Sequence, residues 1–108
     1  MTLHVGDTRP ALTGRVQARN TTGQWVPVNL TGATLSLCLR KPDATTVTVA
    51  PAFDGDPTLG GWVYQWAAGQ VDQHGEWLAE LVVTFNDGGR QRIGPQPFRV
   101  EPALCAVP

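Results

Sequence analysis

Glu76 and Glu80 stand four residues apart, Asp54 and Asp56 flank a glycine, and His4 and His74 are the two imidazoles of the chain. Paired carboxylates divide acid and base work in glycoside hydrolysis, but only at a fixed separation. On a strand rising about 3.3 Å per residue, positions i and i+4 share a face at about 13 Å, too wide for either glycosidase geometry. Asp54-Gly55-Asp56 resembles part of a calcium loop, yet it lacks a third acidic position and a closing bidentate Glu. It reads as a solvated turn stopped by Pro57. His74, between Gln73 and Gly75, reads as a solvated corner residue. Ser36 is the single serine and lies within an alternating run, not in a sharp Gly-flanked elbow. Cys38, Cys105 and the two histidines offer no short C-x-x-C or H-x-x-x-H spacing for zinc. Gly60-Gly61 precedes a strand pattern where a phosphate loop needs a helix. The inventory predicts no enzyme, no metal and no cofactor.

Binding features are scarcer still. Asn20-Thr21-Thr22 and Asn29-Leu30-Thr31 match the acceptor triplet for N-linked sugar. The stretch Met1-Thr2-Leu3-His4-Val5 shows neither the charged nor the apolar region of a signal peptide. Both triplets therefore read as turn residues, with Asn29 and Thr31 bonding nearby backbone and Gly32 taking a conformation other residues resist. Leu30 reads as a plug at one end of the core. Trp62, Tyr64 and Trp66 alternate along one segment, a spacing that reads as core, with a sugar-stacking platform as the competing reading. Trp25, beside an edge hairpin, is the candidate exposed contact residue. Cys38 and Cys105 allow at most one bridge; their places, mid-strand and in a Pro-flanked tail, read as two free thiols.

The elements that must carry these residues are strands. Alternation in Ala33 to Arg40 turns Leu35, Leu37 and Leu39 inward and Cys38 outward. A Thr- and Val-rich strand follows over 45–50, then a loop over 52–61 and the aromatic strand from Trp62. The longest strand runs from Glu76 to Phe85 with Trp77, Ala79, Leu81, Val83 and Phe85 on one face. Asn86-Asp87-Gly88-Gly89 is a hairpin turn, because these residues readily supply positive φ. The return strand is Arg90 to Ile93, resuming at Phe98-Arg99-Val100. Near the start, Leu12 to Ala18 pairs with Trp25 to Val28 across the Asn20 loop. Seven to eight short strands with closely spaced turns predict an all-β, antiparallel β-sandwich.

The 108 residues make one domain, with residues 1–10 as an N-terminal arm, 11–100 as the sandwich and 101–108 as a Pro-rich tail. A formal net charge of −1 provides no field for nucleic acid or an anionic membrane, and no apolar run approaches the length of a membrane helix. An immunoglobulin-like cue lies in Asp72-Gln73-His74-Gly75-Glu76-Trp77-Leu78-Ala79. Antibody-type sandwiches place there a corner Tyr two residues before a core Cys. Here Trp77 takes the Tyr-like place and Ala79 the Cys-like place, so the inter-sheet bridge is absent and the phenol's hydroxyl bond is expected to be lost. Trp62 or Trp66 would serve as the earlier core Trp.

Several short motifs recur in one order: Gly6-Asp7-Thr8-Arg9-Pro10, Val26-Pro27-Val28-Asn29-Leu30-Thr31-Gly32-Ala33-Thr34, Gly61-Trp62-Val63-Tyr64-Gln65-Trp66, Gly75-Glu76-Trp77-Leu78-Ala79-Glu80-Leu81-Val82-Val83-Thr84-Phe85, and Asp87-Gly88. Across about residues 6–100 this order resembles the N-terminal immunoglobulin-like domain of tailed-phage baseplate upper proteins. The resemblance implies a structural virion domain in a symmetric multi-copy assembly, docking on other phage virion proteins and assembled in the host bacterial cytoplasm. Contacts are expected at Trp25, at Arg9 and Pro10 in the arm, and at Pro102 and Leu104 in the tail. A capsid-surface decoration protein and a carbohydrate-binding adhesion module using Trp25 are the alternatives.

Overall fold

Strict apolar–polar alternation in Thr34–Arg40 buries Leu35, Leu37 and Leu39 to 6%, 1% and 0% exposure while their neighbours stay more open. The same rule in Gly75–Thr84 buries Trp77, Leu81 and Val83 to 1%, 2% and 0%. These two strands, paired antiparallel from Thr34↔Thr84 to Arg40↔Leu78, form the centre of the larger sheet. A computed structural model describes residues 2–104.

In chain order the strands are β1 (Thr2–His4), β2 (Leu12–Arg15), β3 (Gln17–Arg19), β4 (Trp25–Pro27), β5 (Thr34–Arg40), β6 (Thr46–Val49), β7 (Ala52–Phe53), β8 (Gly61–Tyr64), β9 (Gly75–Thr84) and β10 (Arg90–Glu101). One sheet has the order β1-β10-β9-β5-β6 and a second β2-β8-β7, while β3 and β4 form a two-stranded ribbon. All pairs are antiparallel except β1 with β10. The core combines the inward rows of the larger sheet with Trp62 of β8 and with Val16, Leu30, Trp66 and Val71 from the connections. Each fully buried large side chain contributes about 1.5–3 kcal/mol of transfer free energy. The fold is an all-β sandwich.

Among the described residues ten strands replace the seven to eight expected, and three differences account for the count. Leu12 to Ala18 is not one strand. At Val16, fully buried, the chain changes partner: its N–H donates to the Gly60 carbonyl at 2.8 Å and its carbonyl accepts from the Val28 N–H at 2.9 Å. Before it β2 pairs with β8; after it β3 pairs with β4. Residues 52–61 are not a plain loop, since β7 pairs with β8 and Pro57–Leu59 forms a 3₁₀ turn capped by Asp56. The expected N-terminal arm is part of the sandwich over its first residues. Leu3 is fully buried opposite Val100, and the Val5 and Gly6 N–H groups donate to the carbonyls of Glu101 (3.0 Å) and Val71 (2.8 Å). Two apolar residues were too few to mark a strand, but a neighbouring edge supplied the partner.

Both triplets form the turns expected of them. Asn20 Oδ1 accepts from the N–H groups of Thr22 and Gln24, each at 3.0 Å, and Asn29 Oδ1 from the Thr31 N–H at 2.9 Å. Gly32 has φ 75° and Leu30 is fully buried. The Asp87-Gly88 hairpin closes with Phe85 N–H donating to the Gly89 carbonyl at 2.7 Å. β10 runs on through the expected interruption, with its register shifted between Ile93 and Gln96 around Gly94-Pro95. The tail leaves β10 at Glu101 with Pro102 and Leu104 exposed. Cys105 lies outside the described residues, and with it the question of pairing to half-buried Cys38.

Trp77 corrects one expectation directly. Its indole N–H donates to the Gln73 carbonyl, four residues upstream, at 3.0 Å. An indole and a phenol are both donors on a flat apolar body, and the corner at residues 73–77 presents its carbonyl to the ring nitrogen as readily as to a hydroxyl.

Candidate functional site

The β3–β4 ribbon begins where Val16 leaves the second sheet. Every residue from Gln17 to Trp25 is exposed. A lone two-stranded ribbon is marginal in water, so local bonds must support it. At its tip, the Asn20 N–H donates to the Gln24 carbonyl at 2.9 Å, the Gly23 N–H to the Asn20 carbonyl at 3.0 Å, and the Thr22 hydroxyl to Asn20 Oδ1 at 2.7 Å. Gly23 has φ 83°, the positive value that the turn requires. At its base, the Val16–Val28 bond and buried Leu30 tie it to the sandwich.

Trp25 is 60% exposed on this ribbon, and the Arg19 guanidinium carbon sits 4.8 Å from its ring centroid. The cation over the ring face favours this orientation of the indole by about 0.5–1 kcal/mol, the value for an exposed pair. Trp and Arg are among the residue types most enriched at protein–protein hot spots. Trp62 and Trp66, by contrast, are 9% and 3% exposed and belong to the core. Trp66, Trp77 and Phe98 form a cluster with ring centroids 5.8 to 6.3 Å apart.

The five expected contact residues do not form one site. Trp25 lies on the ribbon, Arg9 and Pro10 in the connection to β2, and Pro102 and Leu104 beyond β10; all five are exposed, Leu104 to 99%. Sequence reasoning missed a cleft of about 480 Å³ between the two sheets, lined by Leu12, Leu37, Trp62, Leu81, Ile93 and Phe98 among others, with Pro10 at its margin. Gly14, cross-strand from Trp62, marks where the ring packs against β2 and not the cleft itself. A Cβ there would lie 2.8 Å from the indole, so the missing side chain is the space the ring occupies.

The chemically capable residues are dispersed. Glu80 pairs with Arg92 at 2.8 Å, and His74 and Glu76 are exposed. Among the described residues no three His, Cys, Asp or Glu side chains are placed to share a metal ion. Asp43 and Asp56 serve turns. The Thr45 hydroxyl and N–H, then the Gln73 amide, hold Asp43 below the ordinary carboxylate value of 3.8; the Thr58 N–H and hydroxyl do the same for Asp56. A folded value below the unfolded one gives stability that is complete above pH 3.8 and is lost as pH falls through the depressed folded values. Thermal melts should therefore show an acid limb beginning below that pH. The double variant Asp43→Asn/Asp56→Asn should flatten that part of the limb and lower the neutral-pH midpoint slightly, because the neutral amide keeps one acceptor oxygen for the turn N–H but loses the bonds made by the ionised carboxylate.

Compared with family models, curated proteins and solved structures, the chain matches none.

Proposed function

We propose that this chain is a structural virion protein of a tailed bacteriophage, a tail or baseplate component that docks on neighbouring subunits through an immunoglobulin-like domain. The order of motifs over residues 6–100 supports the family resemblance. The strand order supports the immunoglobulin-like reading: β10-β9-β5-β6 follows G-F-C-C′ and β2-β8-β7 follows B-E-D. The Trp77 bond to Gln73 stands where such domains carry their tyrosine corner.

The observation that carries the docking role is the exposed ribbon with Trp25 held against Arg19. Its free strand edges and oriented indole suit addition to a neighbour's surface. The burial of Trp62 and Trp66 removes the alternating Trp62–Trp66 row as a sugar-stacking platform and favours a protein partner. A capsid-surface position is the second reading, since decoration would use the same ribbon.

Trp25→Ala tests the role. Stability should stay within about 0.5 kcal/mol, as for an exposed site. Incorporation into purified particles, measured by quantitative mass spectrometry, should fall about tenfold or more, the loss of a Trp hot spot. Equal incorporation of wild type and variant would remove the ribbon from the mechanism, and absence of the wild-type chain from particles would remove the virion reading.

A further inference from the structure

Two strand edges in the sandwich lack partners and face one cleft. β2 is the outermost strand of its sheet, and β10 is covered by β1 only at Arg99–Glu101, leaving its Ile93–Phe98 portion open on that side. Between them lies the cleft of about 480 Å³, reaching Leu37, Trp62 and Leu81 of the core, with no charged residue in its lining. In immunoglobulin-type sandwiches a further strand, A, lies beside the strand that corresponds to β2. Here that place is open.

We propose that the cleft receives an extended segment of a second copy of this chain, residues 102–108, which pairs with β2 and inserts alternate side chains between the sheets. The chemistry matches on both sides. Residues 102–108 carry no charged side chain, and Leu104 at 99% exposure is the most exposed large hydrophobic residue among those described. A strand of four or five residues spans about 13–17 Å, the length of β2. β10 is the poorer acceptor, because Pro95, Pro97 and the register shift after Ile93 blunt its edge. β2 has no proline and offers an unbroken edge. The donor comes from another molecule because β10 runs past the cleft residues Ile93 and Phe98 before reaching Glu101, where β1 occupies the adjoining edge. Each copy then gives a segment and accepts one, a head-to-tail contact that closes as a ring or extends as a filament. The inference deepens the multi-copy part of the proposed function and rests on that reading.

The test is the oligomeric state of the full chain by sedimentation velocity under reducing conditions, which removes any bridge through Cys105. Concentration-dependent self-association is expected, with monomers from Leu104→Asp and from a chain ending at Glu101. A synthetic peptide of residues 102–108 should bind the shortened chain by fluorescence anisotropy, and Asp at its Leu104 position should weaken binding at least tenfold. This second measurement needs no substitution in the folded domain. Association that survives the shortening, or a monomeric full chain, overturns the proposal. A monomeric full chain with a lower melting temperature after shortening would assign the segment to its own molecule and also overturns it. The two readings fail separately: a monomer in solution with Trp25→Ala still lost from particles leaves ribbon docking standing, and the opposite pair of results leaves only the strand exchange.

Discussion

Trp77→Ala is expected to cost about 3–5 kcal/mol, a large part of the stability of a domain of this size. Three terms combine at this residue. Its side chain is 1% exposed, so its removal leaves a cavity between the sheets. It also loses aromatic contacts to Trp66 and Phe98, with centroids 6.3 and 5.8 Å away, and the stacked Lys41 ammonium at 5.7 Å. Finally, the Gln73 carbonyl loses its 3.0 Å donor. Trp77→Phe separates these terms, keeping an aromatic body but no N–H. Its cost should be about 1–2 kcal/mol, one hydrogen bond plus some lost volume. Urea denaturation of both variants checks the pair. Equal costs would mean that the indole N–H carries most of the effect, and a Trp77→Ala cost below about 1 kcal/mol would contradict the core assignment.

Gly60→Val is the second large effect, and it acts through backbone. Gly60 has φ 74°, which costs an L-residue roughly 1–2 kcal/mol. A Cβ there would stand 2.5 Å from the Val16 carbonyl oxygen and 3.1 Å from that of Val28. Neither oxygen can retreat cheaply: Val16 is bonded on both sides, to Gly60 and to Val28, at the point where β2 hands the chain to the ribbon. The total should reach about 3 kcal/mol or more, in the class of changes that break a special backbone geometry. Gly23→Ala is the control, since φ there is 83° but no atom lies within 4 Å of the new Cβ. It should show the conformational part alone, about 1–2 kcal/mol in the ribbon tip. Amide exchange at Val16 and Val28 should accelerate in the Gly60 variant and stay at the wild-type rate in the Gly23 variant.

The sandwich was legible wherever one strand's own alternation decided its face. β5 and β9 carry inward rows long enough to read alone, and the Asn20, Asn29 and Asp87-Gly88 turns depend on side chains within a few residues. What was not legible depended on distant partners. Alternation continues unbroken from Leu12 to Ala18, and the change of partner at Val16, from Gly60 to Val28, divides it into two strands. β1 has three residues and exists because the end of β10 offers an edge. The Trp77 bond was hidden for another reason: the expectation compared residue types, while the corner geometry asks only for a donor at the right place. Trp25 was readable as exposed because its ribbon neighbours Arg19, Asn20, Thr21, Thr22 and Gln24 are polar. The cleft was unreadable because it lies between β2 and β10, near opposite ends of the chain.

The sandwich presents two separate exposed features: a ribbon carrying Trp25 beside Arg19, and an open seam between the sheets. The most direct test of the proposed virion role is to find whether phage genes adjoin this one and to reconstruct the particle they encode, at a resolution that fits strands. Density for the sandwich is expected in several symmetry-related copies within the tail, with the Trp25 ribbon seated against a neighbouring subunit. Particles that lack the density, or that hold the domain with the ribbon in solvent, would contradict that role.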